Sequence, residues 1–466
     1  NDCDGTPDRG CLTFGPSDLL VESSTEHAVH PAIAGDDTRG VIVGYLQRPA
    51  EAEVHLAGWN DGAGTWTDPA ATRMDWDDPG IDYDEDAMGA AVAMSGGRAY
   101  IAWEEMRQRT IGSMNLSYRN VYFRRSTDGG SSWDTEVRLD VGQDTDSFSV
   151  EIAAYGNDIY VVWENMETDR SRHVYIAASS DGGATFSAPV QVDHTVAVGP
   201  PVAGEPAVAA GAGGDVYVVW RDNRHGPGAI YANASDDGGA TWLGADIRLD
   251  PRFIEAESSA PVIAADGSGY VLVAWEDETP DGADAKWKIL SAVSDDHGVT
   301  YGTGLRLDDD PLPHDSFTPQ VAIDPLGAAG HVVWRDMRNG LADIYCRSVD
   351  LGTLTWAATS LRVDGGAAGM AHSFAPRVAA GAGGQVWVAY EDDRTGLRDI
   401  FMNYSLDGGD NFQPTDFRVD TDGPGTADSI HPLVVATSFG AMVVWVDYRR
   451  GTGMLGDLYS RVVYLP

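Results

Sequence analysis

The sequence predicts an all-β fold, a single eight-bladed β-propeller built from four-stranded antiparallel blades. Three observations lead to this prediction: short β-branched segments between glycine-rich turns, an aromatic residue that ends one such segment in every repeat, and a polar eight-residue turn that recurs along the chain. A repeat of this length with four short strands is typical of a propeller blade. The aromatic anchors are Tyr45, Trp103, Trp163, Trp220, Trp275, Trp334, Tyr390 and Trp445.

The clearest copy of the repeat is residues 216–242. Residues 216–220 are apolar and end at Trp220, which predicts a strand, and residues 221–228 are polar with two glycines and a proline, which predicts a loop. Residues 229–234 predict a second strand, and residues 235–242 form the polar turn, here called a Ser-x-Asp turn. Asp can accept backbone N–H groups in such a turn and Gly accepts positive φ. Further copies lie at 126–133, 179–186, 294–301 and 405–412, with a longer one at 348–356 and a degraded one at 60–66.

The aromatic anchors are followed by a second motif, Trp-x-Asp-x-Arg. Asp222 and Arg224 follow Trp220, and the same spacing recurs after Trp334, Tyr390 and Trp445, with Glu in place of Asp after Trp103. We expect the anchors to pack between sheets. We expect the Asp and Arg side chains to form ion pairs between neighbouring blades.

The two ends of the chain are complementary. Residues 17–23 resemble the fourth strand of each unit but precede any complete unit, whereas only one more strand follows Trp445, without a Ser-x-Asp turn. The N-terminal strand should therefore complete the last blade and leave no free sheet edge. This divides the chain into an extension, 1–16, and a propeller, 17–466.

The extension contains a possible disulfide and a possible calcium loop. Cys3 and Cys11 are near neighbours in a turn-rich segment, and Asp2, Asp4 and Asp8 could converge on one calcium ion, as in the calcium loops of thrombospondin type 3 repeats that this segment resembles. The alternative is a polar terminus held only by the disulfide. The third cysteine, Cys346, lies in a predicted strand, where we expect a buried free thiol.

Charge and hydropathy exclude some classes of function. The 466 residues include 72 acidic and 31 basic side chains, for a net charge of −41. Nucleic-acid binding is not expected, because phosphate contacts need clustered Lys and Arg. No apolar run reaches the ~18–20 residues of a membrane span, so membrane insertion is not expected either. The acidic composition and the local disulfide favour a secreted or cell-surface protein, which we expect to be a monomer.

The Ser-x-Asp turns resemble the Asp-box (BNR) motif, Ser-x-Asp-x-Gly-x-Thr-Trp, of sialidase-like β-propellers. The resemblance implies a propeller whose boxes are structural, and its members include sialidases, other glycan-processing enzymes, lectin-like propellers and protein-binding propellers. Sialidases also have a Phe/Tyr-Arg-Ile-Pro motif, which this sequence lacks; Phe417-Arg418-Val419-Asp420 lies in a predicted outer strand. Sialidase catalysis is therefore not carried over, and no catalytic residue is assigned.

We expect the functional face to be formed by the loops between strands 2 and 3 and by the connections between blades, because binding sites concentrate on loops held by a rigid scaffold. The connections repeat an acid or His before Ser-Phe-x-Pro. This pattern gives a predicted ring of ligand-binding candidates: His27, Asp86, Asp146, Glu257, His314, Asp315, His372, Asp428 and His431. In the alternative interpretation, these side chains cap backbone N–H groups at the turn into the inner strand.

Three functions remain open on this evidence. The first is a binding module for a glycan or an extracellular protein, with calcium as the only expected cofactor. The second is a carbohydrate-active hydrolase or lyase that uses carboxylates or His of the same face. The third is a structural surface or adhesion domain.

Overall fold

A computed structural model confirms the predicted eight-bladed β-propeller. It describes residues 13–15, 17–21, 27–36, 40–48, 52–60, 64–66, 73–75, 87–111, 114–141, 145–194, 202–250, 256–281, 284–450 and 456–465. The predicted disulfide of Cys3 and Cys11, the calcium ligands Asp2, Asp4 and Asp8, and the candidate Asp86 lie outside these residues. Cys346 is buried and free, as predicted, and burial raises the pKa of its thiol to about 12.

Each blade is an antiparallel sheet with its first strand at the centre of the ring and its short fourth strand outside. Blades 1 and 2 contain β3 (His27–Gly35), β4 (Val41–Arg48), β5 (Glu53–Asn60), β6 (Thr65–Trp66), β7 (Ala87–Ser95), β8 (Arg98–Ile111), β9 (Met114–Ser126) and β10 (Val137–Arg138). Blades 3 and 4 contain β11 (Ser147–Tyr155), β12 (Asp158–Met166), β13 (Arg172–Ser179), β14 (Val190–Gln191), β15 (Ala203–Ala210), β16 (Val216–Asp222), β17 (Ala229–Ser235) and β18 (Ile247–Arg248). A one-turn 3-10 helix, Ala212–Gly214, joins β15 to β16.

The second half repeats this order. Blades 5 and 6 contain β19 (Ser258–Ala265), β20 (Val271–Asp281), β21 (Asp284–Ser294), β22 (Leu305–Arg306), β23 (Ser316–Ile323), β24 (Ala329–Asn339), β25 (Leu341–Asp350), β26 (Thr355–Trp356) and β27 (Leu361–Arg362). Blades 7 and 8 contain β28 (Ser373–Gly381), β29 (Gln385–Asp392), β30 (Asp399–Ser405), β31 (Phe417–Arg418), β32 (Ser429–Thr437), β33 (Gly440–Asp447) and β34 (Asp457–Tyr464).

The N-terminal segment closes the ring. Strand β2 (Leu19–Leu20) pairs with Ser460 and Tyr459 of β34, and β1 (Thr13–Phe14) pairs with Tyr464 and Val463 at the other end of the same strand. Val21 is 1% exposed and belongs to the core between blades 8 and 1. The predicted closure is therefore observed, and it covers an edge that would otherwise leave backbone groups unpaired.

The core lies between the blades. Each of its clusters joins two neighbouring sheets; Val162 of blade 3 and Val218 of blade 4, for example, share one cluster. All eight aromatic anchors are fully buried. None of the helices among the described residues is long and apolar enough to cross a membrane.

The five eight-residue Ser-x-Asp turns, at 126–133, 179–186, 235–242, 294–301 and 405–412, share one hydrogen-bonding pattern. In the turn at 235–242 the Ser235 hydroxyl donates to Asp237 Oδ1 at 2.8 Å and accepts the Gly239 N–H at 3.0 Å, while the Asp237 carboxylate accepts the Thr241 N–H and hydroxyl. Gly239 has a φ of 80°, which a residue with a Cβ rarely adopts.

The Asp and Arg of the second motif do not mainly join neighbouring blades, contrary to the expectation. Arg224 pairs with Asp222 and with Asp246 of the same blade, and its guanidinium lies 4.3 Å from the Tyr231 ring centroid. Arg224 therefore connects the end of the second strand, at Asp222, to the segment before the fourth strand, at Asp246. Arg338 also reaches Asp309 of the preceding blade at 2.9 Å. The reason is distance: an arginine just after the second strand lies close to the segment before the outer strand of its own blade.

Candidate functional site

The inner strands surround a central cavity of about 960 Å³. Near its start, each of these strands contains a β-bulge, where the register shifts against the second strand. In seven blades a non-glycine bulge residue has a φ between 45° and 54°: His30, Ser149, Glu205, Ala260, Thr318, Ala375 and His431. The bulges re-aim side chains and amides, as bulges near functional sites do.

The two faces of the ring are built from different loops. On one face, the loops between strands 2 and 3 bond the connections between blades; for example, the Met337 and Tyr448 amides donate to the Asp315 and Asp428 carbonyls at 3.0 Å. On the other face, the Ser-x-Asp turns bond the turns between strands 1 and 2, as the Gly408 amide does to the Gly384 carbonyl at 2.9 Å. The first of these is called the connection face below.

Glutamates bridge many of the blade contacts near the bulges. The residue after the aromatic anchor is Glu104, Glu164, Glu276 or Glu391 in blades 2, 3, 5 and 7. Glu104 accepts the Val150 N–H at 2.9 Å, Glu276 that of Thr318 at 2.7 Å and Glu391 that of His431 at 2.9 Å; Glu164 accepts that of Glu205. Each carboxylate therefore satisfies a bulge amide of the next blade.

Glu151 is the most perturbed carboxylate in the central cavity. Its side chain is exposed to the water of the central cavity, which the inner strands surround. The inner strands around the cavity partly desolvate this carboxyl group, and that effect, followed by the negative charge of Glu104, raises the pKa of Glu151 to about 7. Burial also raises the pKa of Glu104, which lies 3.7 Å from Arg119. A carboxyl group that titrates near neutral pH can donate or accept a proton.

Aromatic rings and one arginine form a row across blades 5, 6 and 7, here called the aromatic row: Trp287, Phe317, Arg335, Phe374 and His372. The rings of Trp287 and Phe317 lie 6.4 Å apart, the Arg335 guanidinium lies 5.6 Å from the Phe317 centroid and 5.3 Å from that of Phe374, and His372 stacks on Phe374 at 5.3 Å. All five side chains are half-buried. They line the connection face without being sealed from solvent.

A second aromatic position, Phe148, is half-buried like the rings of the row but lies between two arginines. The guanidinium of Arg119 lies 4.6 Å from its ring centroid and that of Arg172 lies 5.1 Å from it. Both arginines are paired, with Glu104 and Glu164. Both cations beside Phe148 are therefore neutralised by carboxylates of the protein.

Four of the predicted site residues occupy equivalent positions in different blades. Asp146, Asp315 and Asp428 each accept the backbone N–H of a residue near the start of the third strand of the preceding blade, at 2.9, 3.1 and 3.1 Å. His372 Nδ1 accepts the Ala342 N–H at 3.3 Å. The ring spreads these four groups apart, and each one caps an amide of the neighbouring blade.

The other predicted residues differ in their surroundings. Glu257 pairs with Arg221, and His431 lines the central cavity, where burial lowers its pKa. His314 is buried between Asp308 and Asp336 and does not line the cavity. For His27 the structure describes the backbone in β3 only. A ligand-binding role for these residues stays a prediction.

Among the described residues, two clusters have enough ligand atoms for a metal ion: Asp308, His314 and Asp336, and Asp399, Asp420 and Asp422. Cations of the protein already neutralise both. Arg306 and Lys288 lie 2.8 and 3.5 Å from Asp308, and Arg338 pairs with Asp336; Arg418 contacts all three carboxylates of the other cluster. These clusters are best described as buried ion-pair networks.

Sequence reasoning missed Glu104, Glu151 and Arg335. The position after the aromatic anchor was available as a signal, since it alternates between acidic, basic and apolar residues among blades that are otherwise alike. Glu151 had no such signal, because its exposure to the channel depends on the bulge before it.

Comparisons with known proteins show the fold. No family model and no curated protein matches this chain. Among solved structures, the polysaccharide lyase Uly1 is 12% identical with a TM-score of 0.50, covering 84% of this chain and 94% of its own. An ulvan lyase of polysaccharide lyase family PL25 is 13% identical (TM-score 0.48; 97% and 95% covered), and the Hadza microbial sialidase Hz136 is 16% identical (TM-score 0.39; 79% and 76% covered). The propellers similar to this chain thus include a sialidase and other glycan-active enzymes.

Proposed function

We propose that this protein is an extracytoplasmic carbohydrate-binding propeller whose ligand lies on the aromatic row of the connection face. The observation that supports this most directly is the row itself: three half-buried aromatic rings, Trp287, Phe317 and Phe374, in consecutive blades beside the central cavity.

The chemistry of the row suits a sugar. The C–H faces of a pyranose ring are apolar and its edges are polar, so an aromatic ring removes apolar area from water while hydroxyl groups reach polar neighbours. Polar groups lie close by in the central cavity, including Glu205, Gln320 and His431. An apolar floor with a few convergent polar groups is the usual composition of a ligand site.

A glycan array followed by calorimetry tests the proposal. We expect at least one oligosaccharide to bind, and Phe374→Ala to weaken that binding at least about fivefold, since one aromatic contact contributes about 1 kcal/mol beyond its buried area. Tyr155→Ala is the matched control, because Tyr155 is 41% exposed and ends β11 at the opposite face. Equal losses in both variants, or no glycan bound, would contradict the proposal; a protein ligand or a purely structural role would then be favoured.

A second candidate is a glycan-processing enzyme, and Glu151 is the observation that favours it. A carboxyl group with a pKa of about 7 next to Glu104 has the properties of a general acid. The oligosaccharides that bind on the array are then incubated with the protein and assayed for product release. Release by the natural protein, and its loss in a Glu151→Gln variant that still binds, would establish this activity. Binding without turnover would favour the binding module over the enzyme.

A further inference from the structure

The contact between blades 4 and 5 shows how this fold satisfies an arginine after an aromatic anchor. Arg221 follows Trp220, and its Nη2 donates to the Glu257 carboxylate of blade 5. The bulge amide of Ala260 donates to Glu205 Oε2 at 2.8 Å. Glu257 therefore neutralises the guanidinium of Arg221, and Glu205 accepts the N–H of Ala260.

The contact between blades 6 and 7 has the same plan without either carboxylate. Arg335 takes the position of Arg221, and Ala375 takes that of Ala260. His372 stands in the place of Glu257, and Thr318 stands in the place of Glu205. The backbone is conserved between the two contacts, since Thr318 and Ala375 have φ values of 54° and 45°, close to the 53° and 51° of Glu205 and Ala260.

Arg335 consequently has no carboxylate partner among the residues that the structure describes. Its Nη2 contacts only Met337 Sδ, at 4.0 Å, and its Nε is buried without a hydrogen-bond partner. Burial lowers the pKa of Arg335, which the charge of Glu276 offsets only in part. A partly desolvated cation beside an open channel favours the binding of an anion.

We propose that an anionic group of the saccharide, a carboxylate or a sulfate, binds between the Arg335 guanidinium and the Ala375 N–H, in the place that Glu257 and Glu205 fill in blades 4 and 5. The inference rests on the proposed carbohydrate function and names its ligand class as acidic saccharides. Phe317 and Phe374, on which the guanidinium lies, stack against the sugar that bears the anion.

The net charge of −41 does not oppose this site at short range. Exposed charges further than a Debye length of about 8 Å are largely screened at physiological ionic strength. Arg377 lines the cavity two residues after Ala375 and adds positive charge on the same inner strand. A planar guanidinium and an amide N–H also match the oxygen atoms of a carboxylate in a way that an ammonium group does not.

Calorimetry with matched sugars tests the site. Three probes are compared: oligosaccharides that end in D-glucuronate, the same oligosaccharides ending in neutral D-glucose, and the D-glucose form sulfated at position 6. Comparison of the two acidic probes distinguishes binding of a carboxylate from binding of a sulfate. We expect Arg335→Gln to weaken binding of an acidic probe about 10- to 100-fold, as loss of a charge-assisted hydrogen bond does, and to leave the neutral probe within about twofold.

His372→Glu is the second variant, since it supplies the carboxylate that Arg221 has in Glu257. We expect it to neutralise Arg335 and to reduce acidic-probe binding as strongly as Arg335→Gln. The uncharged His372→Gln removes the same imidazole without adding a charge, so it should bind the acidic probe about tenfold more tightly than His372→Glu does. Arg221→Gln, at the already neutralised contact, should have no effect on either probe.

The outcomes separate this site from the general proposal. Equal binding of neutral and acidic probes, unchanged by Arg335→Gln, would overturn the anion site and leave carbohydrate binding intact. If no oligosaccharide binds, acetate and sulfate are titrated while the Arg335 Nε–H signal is followed by NMR. A saturable shift that His372→Glu abolishes would support the anion site and contradict carbohydrate binding. The absence of a shift would contradict both the anion site and carbohydrate binding.

Discussion

His314 Nε2 lies 3.3 Å from Asp336 Oδ1 and 3.4 Å from Asp308 Oδ2, so one buried imidazole joins the carboxylates of two neighbouring blades. Burial alone lowers the pKa of His314, but the two carboxylates outweigh it and raise the pKa to about 9. The histidine is therefore protonated at neutral pH and acts as a cation between blades 5 and 6.

The His314 contact predicts a loss of stability at alkaline pH. Because the folded pKa is above the unfolded value of about 6.5, the contribution is complete below pH 6.5 and disappears as the pH rises through 9. For a side chain only 5% exposed, it is on the order of 3 kcal/mol. Urea unfolding at pH 6 and pH 10 measures it.

The control for that measurement is a pair of variants. His314→Asn should reduce the difference between the two pH values, whereas His297→Asn, at a side chain that is 54% exposed, should preserve it. Asp420, whose pKa burial raises to about 8, titrates in both variants and cancels in the comparison. An unchanged pH dependence in His314→Asn would show that the imidazole is uncharged in the folded protein.

Closure of the ring by the N-terminal segment predicts that Val21 contributes to global stability. Val21→Ala should cost about 2 kcal/mol, because it removes two buried methyl groups from the core between blades 8 and 1. Val141→Ala, at a valine that is 63% exposed, should change the free energy of unfolding by less than about 0.5 kcal/mol. Equal effects would mean that the N-terminal strand does not seal the ring in solution.

The channel carboxylates predict a titration near neutral pH. The side-chain carboxyl ¹³C signal of Glu151, assigned with Glu151→Gln, should move with a midpoint near pH 7. Glu104→Gln should lower that midpoint, because it removes the neighbouring negative charge that helps to raise the pKa. A midpoint near 4.5 would place Glu151 in bulk-like water and remove the basis for its role as an acid.

Calcium binding by the N-terminal extension is an independent prediction. If Asp2, Asp4 and Asp8 converge on one ion, millimolar calcium should raise the melting temperature and EDTA should reverse the effect, since a ligand of the native state stabilises it by mass action. Asp4→Asn should abolish the response. A response that survives in Asp4→Asn would assign the ion to another part of the chain.

Much of the architecture followed from the sequence. The spacing of the aromatic anchors predicted eight blades, and the orphan strand at residues 17–23 predicted the closure that the pairing of Leu19–Leu20 with β34 confirms. Both depend on local patterns, β-branched runs and turn residues, which short-range sterics and hydrogen bonding determine.

The site depended on contacts that no local pattern encodes. Asp146, Asp315 and Asp428 were predicted as ligand-binding candidates or as caps, and only the structure shows that each one accepts an amide of the preceding blade. It also shows that His314, predicted from the same connections, is buried in an ion-pair network. Arg221 and Arg335 both stand between Val-Val-Trp and Asp in the sequence. The neighbouring blade determines their difference: Glu257 neutralises Arg221, whereas Arg335 contacts Met337 Sδ. The physical reason is that the free energy of a charge depends on the groups that the fold brings within a few ångströms of it.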